Sequence, residues 1–316
     1  VAVKTQLFPV DWLLSAYNIL FAFFWIGVAP RAGYAGWVVL AHLLAAVLPW
    51  VLLRLPQRAT RPARILRDVY PLVGLALFWS ELRYLQALRG LPPNDAAVAE
   101  LDSRVFGVHL HELWMPAMPA PLLSETMHAI YFLYYALVFL PPIAVAISGR
   151  TLALREMVLR LMVTYLGCYV VYVLFPVYGP RVVAHAAGAP IAPIADGFFA
   201  RLVASAQAAG DSPGTAFPSS HVAGAFTMAW LAFRCLPRWA AWGLLAQALG
   251  VFLATIYTRN HFTIDGAAGL ALVLVLQGFL APALLGRVGE GTARPVVPIL
   301  PKPVVGGACG YQGATR

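Results

Sequence analysis

Residues 36–53, GWVVLAHLLAAVLPWVLL, contain no Asp, Glu, Lys or Arg. A run of that length matches the roughly 20 apolar residues a helix needs to cross the hydrocarbon core of a bilayer. Similar runs occupy 12–29, 69–88, 126–147, 155–175, 219–235, 239–257 and 263–285. Lipid offers backbone N–H and C=O groups no partners, so each span has to be a helix. The two-residue alternation of a membrane β-barrel is absent. Composition agrees: of 316 residues 61% are hydrophobic and only 11% charged, where a soluble domain carries about a quarter. The expected fold class is all-α, a polytopic membrane helical bundle of about eight transmembrane helices.

The third run is the least apolar, because FWSELRYLQALRG places Glu81 and Arg83 at its end. The segment 89–125 is polar enough to leave the hydrocarbon, and its DSRVFGVHLHELWMPAMP is suited to lie along the interface. Residues 176–216 read as a long, nearly uncharged Ala/Pro/Gly-rich loop, a length that usually signals function or disorder. The Pro/Gly-rich residues 287–316 are expected to be an unstructured tail. This divides the chain into two N-terminal helices over 1–68, a core over 69–286 and the tail. Cys168, Cys235 and Cys309 are too scattered for a disulfide framework or a zinc pattern. No cleavable signal peptide stands out, and the first apolar run is expected to serve as its own targeting signal.

Basic residues set the orientation. Arg54, Arg58, Arg61, Arg64 and Arg67 form the densest cluster, which the positive-inside rule assigns to the cytoplasm. Alternation then puts Lys4, Arg150, Arg155, Arg234, Arg238 and the tail on the same side, with both termini cytoplasmic. The membrane expected is the cell membrane. The net charge of +9 is mainly this topology signal plus contact with anionic lipid. It does not indicate nucleic-acid binding, since the arginines flank spans and no basic-aromatic surface is available.

The same alternation brings three distant polar clusters to the non-cytoplasmic boundary: VYGPR (177–181), FPSSH (217–221) and TRNHFTID (258–265). Pro218, Ser219 and Ser220 announce a helix start, whose free amides and positive end favour an anion. His221 falls in that first turn. His261 and Asp265 are spaced i, i+4 and share a helix face, so the carboxylate can hold one ring nitrogen and leave the other as nucleophile or base. Arg181 and Arg259 supply forks suited to phosphate oxygens. Together these groups describe in-line phosphoryl transfer through a phosphohistidine, with no metal and no other cofactor required. Taken singly, each has a plainer explanation: a helix cap, an interfacial histidine, a structural His–Asp bond, arginines touching headgroups. Convergence on one face is what favours the joint reading.

FPSSH and HFTID resemble the second and third motifs of the type 2 phosphatidic acid phosphatase (PAP2) superfamily. The resemblance covers about 170–270. It implies that His261 attacks phosphorus, Asp265 orients it and His221 protonates the leaving group, with Ser219 and Ser220 as phosphate-binding donors. It also implies a six-helix core formed by the third to eighth spans, the first two being an addition. The superfamily's first motif is missing; FPVYGPR stands in its place, so only Arg181 carries over. An Arg of the third motif is replaced by Thr255, and Arg259 is a candidate substitute. These features look more like the inositol-phosphorylceramide synthase branch.

The expected function is therefore a membrane lipid phosphatase or phosphotransferase acting on a lipid phosphate or phospholipid at the non-cytoplasmic face. A channel or transporter with a polar vestibule is the alternative, but it needs ionisable residues near the midplane, and the last four runs hold almost none. HLHE (109–112) has a metal-like spacing that is usually incidental without further ligands. Glu125 and His128 read as helix anchors, and Tyr131, Tyr134 and Tyr135 as interface or core aromatics.

Overall fold

The computed structural model describes residues 7–53, 61–186, 188 and 196–286. The tail 287–316, Lys4, Arg54, Arg58 and the middle of the 176–216 stretch lie outside the described residues. Those described form helices throughout, with no strand among them.

A helical hairpin comes first, α1 (Pro9–Val28) and α2 (Ala35–Leu53). The long α3 follows over Arg61–Arg89, starting eight residues before the expected span. Pro62 sits in its first turn, where a missing N–H costs nothing, so helix rather than loop carries Arg64 and Arg67. Two short helices, α4 (Asp95–Phe106) and α5 (Leu110–Ala117), occupy the polar segment. Next come α6 (Pro121–Ile147) and α7 (Thr151–Leu174). The expected loop 176–216 instead contains α8 (Pro180–Ala186) and α9 (Phe198–Gly210). The second was hidden by its Ala-rich sequence, although Ala200, Val203 and Gln207 make one buried face. The chain closes with α10 (Ser220–Cys235), α11 (Arg238–Tyr257), α12 (Thr263–Val275), a π-type turn over Leu276–Leu280 and α13 (Ala281–Gly286).

Six helical segments are long and apolar enough to cross a membrane: Pro9–Arg31, Ala35–Leu53, Pro121–Ile147, Thr151–Leu174, Arg238–Tyr257 and Thr263–Gly286. The chain is a multi-pass membrane protein. The other two expected spans are helical but fall short on those grounds. Charged residues interrupt α3, and α10 has 16 residues, about 24 Å at 1.5 Å per residue.

The bundle is built around α7, whose apolar window is 78% buried inside the protein. It packs against α3, α10, α6 and α1. Its charged residues find partners, as charges inside a membrane protein must. Arg155 binds Asp68 at 2.7 Å, and Arg160 binds Glu156 at 2.9 Å. Thr164 meets Thr227 of α10 at 2.8 Å, while Gln277 donates to Thr164 at 2.8 Å. Small residues let α10 approach closely: a Cβ on Gly224 would lie 2.2 Å from the Tyr165 hydroxyl, and one on Gly269 2.6 Å from the Ser219 carbonyl oxygen. The N-terminal hairpin is tied on by buried polar bonds as well. Asp11 accepts from Arg67 at 2.6 Å and Tyr70 at 2.8 Å, and His42 bridges Asn18 and Glu81, each at 2.9 Å.

Candidate active site

One end of the bundle gathers the C-terminal ends of α3, α7 and α11 and the N-terminal ends of α6, α10 and α12. A small apolar cluster of Val98, Val177, Ala216 and Phe262 binds the three motif-bearing segments together. A parallel bridge between Val177 and Thr215 adds a backbone link. Asp95 of α4 accepts from the amides of Tyr178 and Gly179 at 2.9 and 2.7 Å. Gly179 has φ +88°, and a Cβ there would meet the Asn260 carbonyl oxygen at 2.9 Å. Only glycine lets the VYGPR segment lie that close to the TRNHFTID segment.

The α10 start is built as its sequence dictates. Ser219 is the N-cap and accepts from the Val222 amide at 3.3 Å. Its own amide donates to the Asp265 carbonyl at 2.9 Å, locking α10 to α12. The Ser220 amide donates to the Tyr172 hydroxyl at 3.1 Å, which itself donates to the Pro218 carbonyl at 2.8 Å. The Ser220 carbonyl accepts from Tyr134 at 3.2 Å. One turn of helix is thus held by tyrosines of α6 and α7.

His261 and Asp265 are buried, and Nδ1 of the ring faces Asp265 Oδ2 at 3.3 Å. The same oxygen accepts from the Phe262 amide at 2.9 Å, closing the first turn of α12. With Nδ1 engaged, Nε2 is the nitrogen left for chemistry. The His221 ring stands 5.9 Å from the His261 ring, centroid to centroid. It is packed against Tyr131 and Tyr134 at 4.7 and 4.8 Å, and its Nε2 lies 3.4 Å from the Tyr135 hydroxyl.

Arg181, on α8, pairs with Asp211 and donates from Nε to Asn260 Oδ1 at 3.1 Å. Asn260 directly precedes His261, which puts Arg181 beside the α12 motif. Gln207 of α9 donates to the same Asn260 oxygen at 2.7 Å. Glu125 caps α9, accepting from the Phe199 and Ala200 amides at 3.0 and 3.2 Å. Trp79 and Arg83 of α3 hold the C-terminal end of α9 by the Gly210 and Asp211 carbonyls.

Arg259 behaves differently from the expectation of a phosphate ligand. It adopts φ +58°, and its guanidinium donates to the carbonyls of His111 at 3.1 Å and Glu112 at 3.3 Å. Its fork is engaged with α5. The residues missed from sequence are Tyr131, Tyr134, Tyr135, Gln207, Asp211 and Asn260. Only the tyrosines left a signal, their i, i+3, i+4 spacing on one face of α6.

Fold and site together define a multi-pass membrane protein with a His–His–Asp constellation at a helix-end boundary. A family profile described as the PAP2 superfamily matches residues 96–279, more than half of the chain, and the chain belongs to that superfamily. No curated protein and no solved structure matches it. Membership indicates phosphatase or phosphotransferase activity on a lipid-like phosphate substrate.

Proposed function

We propose that this protein cleaves a phosphoester of a membrane lipid through a phosphohistidine on His261. The observation that carries this is the placement of the two histidine rings 5.9 Å apart with Asp265 behind only one of them. Nε2 of His261 attacks phosphorus and forms the P–N bond as the P–O bond to the leaving group breaks. His221 gives its proton to the departing alkoxide. Asp265 fixes the ring tautomer and steadies the cation that forms. The α10 start, with Ser219 and Ser220, and Arg181 receive the phosphoryl oxygens. Arg259 is assigned to holding α5. Water or a lipid alcohol then takes the phosphoryl group, giving a phosphatase or a phosphotransferase. The inositol-phosphorylceramide synthase-like FPVYGPR segment favours transfer.

Eight crossings belong to the same proposal. Along α7, α3 makes contacts at both ends, Asp68 to Arg155 and Gln86 to the Tyr172 carbonyl. Likewise α10 reaches from Tyr172 at its start to Arg150, which binds the Cys235 carbonyl at 2.8 Å. Helices that run the length of a spanning helix cross with it. The basic residues Arg67, Arg150, Arg155 and Arg234 lie at the end opposite the histidines, which supports a cytoplasmic assignment for that end and a non-cytoplasmic site. Under this proposal, the hairpin 1–68 is an addition to a catalytic core over 69–286.

The test is product analysis. Purified protein is incubated with labelled lipid phosphates and phosphodiesters, with and without alcohol acceptors, and quenched protein is assayed for an acid-labile phosphoryl adduct. Turnover with no adduct at His261 under any quench would overturn the covalent route.

A further inference from the structure

Asp102 lies near the end of α4, and His109 and His111 stand at the start of α5. One ligand atom from each lies within 4.8 Å of the other two. Asp102 and His111 are 0% and 5% exposed, and His109 is partly buried. Asp102 Oδ2, His109 Nδ1 and His111 Nδ1 are buried atoms without a hydrogen-bond partner among the described residues. His109 Nδ1 and Asp102 Oδ2 are 3.9 Å apart, too long for a hydrogen bond. Each buried polar atom without a partner costs about 1–3 kcal/mol. Three such atoms aimed at one another are more economically explained by one shared partner than by three separate defects.

We propose that Asp102, His109 and His111 bind a divalent cation of the zinc class, clamping α4 and α5 to the start of α12. Two imidazoles and a carboxylate suit zinc, with water in the fourth position. Bonds of about 2.0–2.2 Å place tetrahedral ligand atoms roughly 3.4 Å apart, so the rings close by about an ångström around the ion. One outer contact is in place: Asp102 Oδ1 accepts from the Ile264 amide at 2.8 Å, leaving Oδ2 for the metal. The clamp sits behind the nucleophile segment: the His111 ring meets Phe262 edge-on at 5.0 Å, and Arg259 holds the His111 carbonyl. Its role is positional, and the proposal stands independently of the phosphohistidine chemistry.

Full-length, tag-free protein in detergent is loaded with Zn²⁺ or Co²⁺, desalted, and assayed for metal content, visible absorption of the cobalt form and thermal stability. The expected result is about one retained equivalent, tetrahedral cobalt bands, a higher melting temperature with metal, and loss of all three in His111→Asn. Asp102 also caps α12, so its substitution risks misfolding. The His109→Ala variant, with its partly exposed ring, provides the second measurement and is expected to lose the cobalt bands. Failure to retain metal, or equal retention by His109→Ala and His111→Asn, would overturn the proposal.

Discussion

The ring of His221 faces that of His261 at 5.9 Å with an interplanar angle of 62°. That separation lets both rings reach one phosphate bound at the same helix-end boundary, within hydrogen-bond range of the groups each would serve. The rings differ in their backing. One has a buried carboxylate; the other has three tyrosines. Unequal surroundings imply unequal roles.

Substitutions should separate those roles. His261→Ala is expected to abolish turnover of every substrate. His221→Ala is expected to cost about 10²–10⁴-fold with a lipid alkoxide leaving group, the usual worth of general-acid help, and far less with a phenolate of low pKa. Rates measured on a leaving-group series decide it. An equal loss across the series would remove His221 as the acid.

Asp265→Asn keeps a hydrogen-bonding group but removes the charge behind the ring. Activity should fall between the two histidine variants, with the loss in kcat. A loss confined to KM would assign Asp265 to binding.

Asp211 pairs with the guanidinium proposed to receive phosphate. Asp211→Asn should therefore lower KM for the lipid phosphate several-fold with kcat little changed. A raised KM would instead make the carboxylate an organiser of Arg181.

Gly224 admits no side chain beside the Tyr134 and Tyr165 hydroxyls, which lie 2.7 and 2.2 Å from the place of its missing Cβ. Gly224→Ala should destabilise by about 1–3 kcal/mol, the usual cost of overpacking, and Tyr165→Phe in the same chain should restore part of it. Thermal melts in detergent check both. An unchanged melting temperature for Gly224→Ala would show that α6 and α7 yield more easily than this packing implies.

Impermeant maleimide tests the orientation in a background lacking Cys309. Val108→Cys, exposed at the histidine end, should label in intact cells. Ser148→Cys, at the opposite end, should label only after permeabilisation. The reverse pattern would move the chemistry to the cytoplasm.

Much of the bundle was legible because a charge-free run such as 36–53 has one physical solution in lipid. His261 and Asp265 declared themselves by helical spacing, and alternation of spans predicted that residues 217–221 and 258–265 would share a boundary. Other features left no such trace. Tyr131, Tyr134 and Tyr135 have the spacing of any buried helix face. Asp102 acts on a backbone amide 162 residues away, and a peptide N–H has no signature in sequence. The contacts of Arg259 left no trace for a related reason: they include carbonyls of α5, and its φ of +58° turns the side chain in a direction that spacing arguments do not foresee. The helix α9 was lost in a stretch where alanine blurs the apolar period.

One acceptor, Asn260 Oδ1, takes hydrogen bonds from both Arg181 and Gln207, and Asn260 directly precedes the proposed nucleophile. The two donors fill its two lone pairs, so drawing Arg181 toward an anion would remove one of the two bonds that fix this side chain. Under the proposed chemistry, an anion bound at Arg181 would thus alter the hold on the residue that precedes His261, through a single amide.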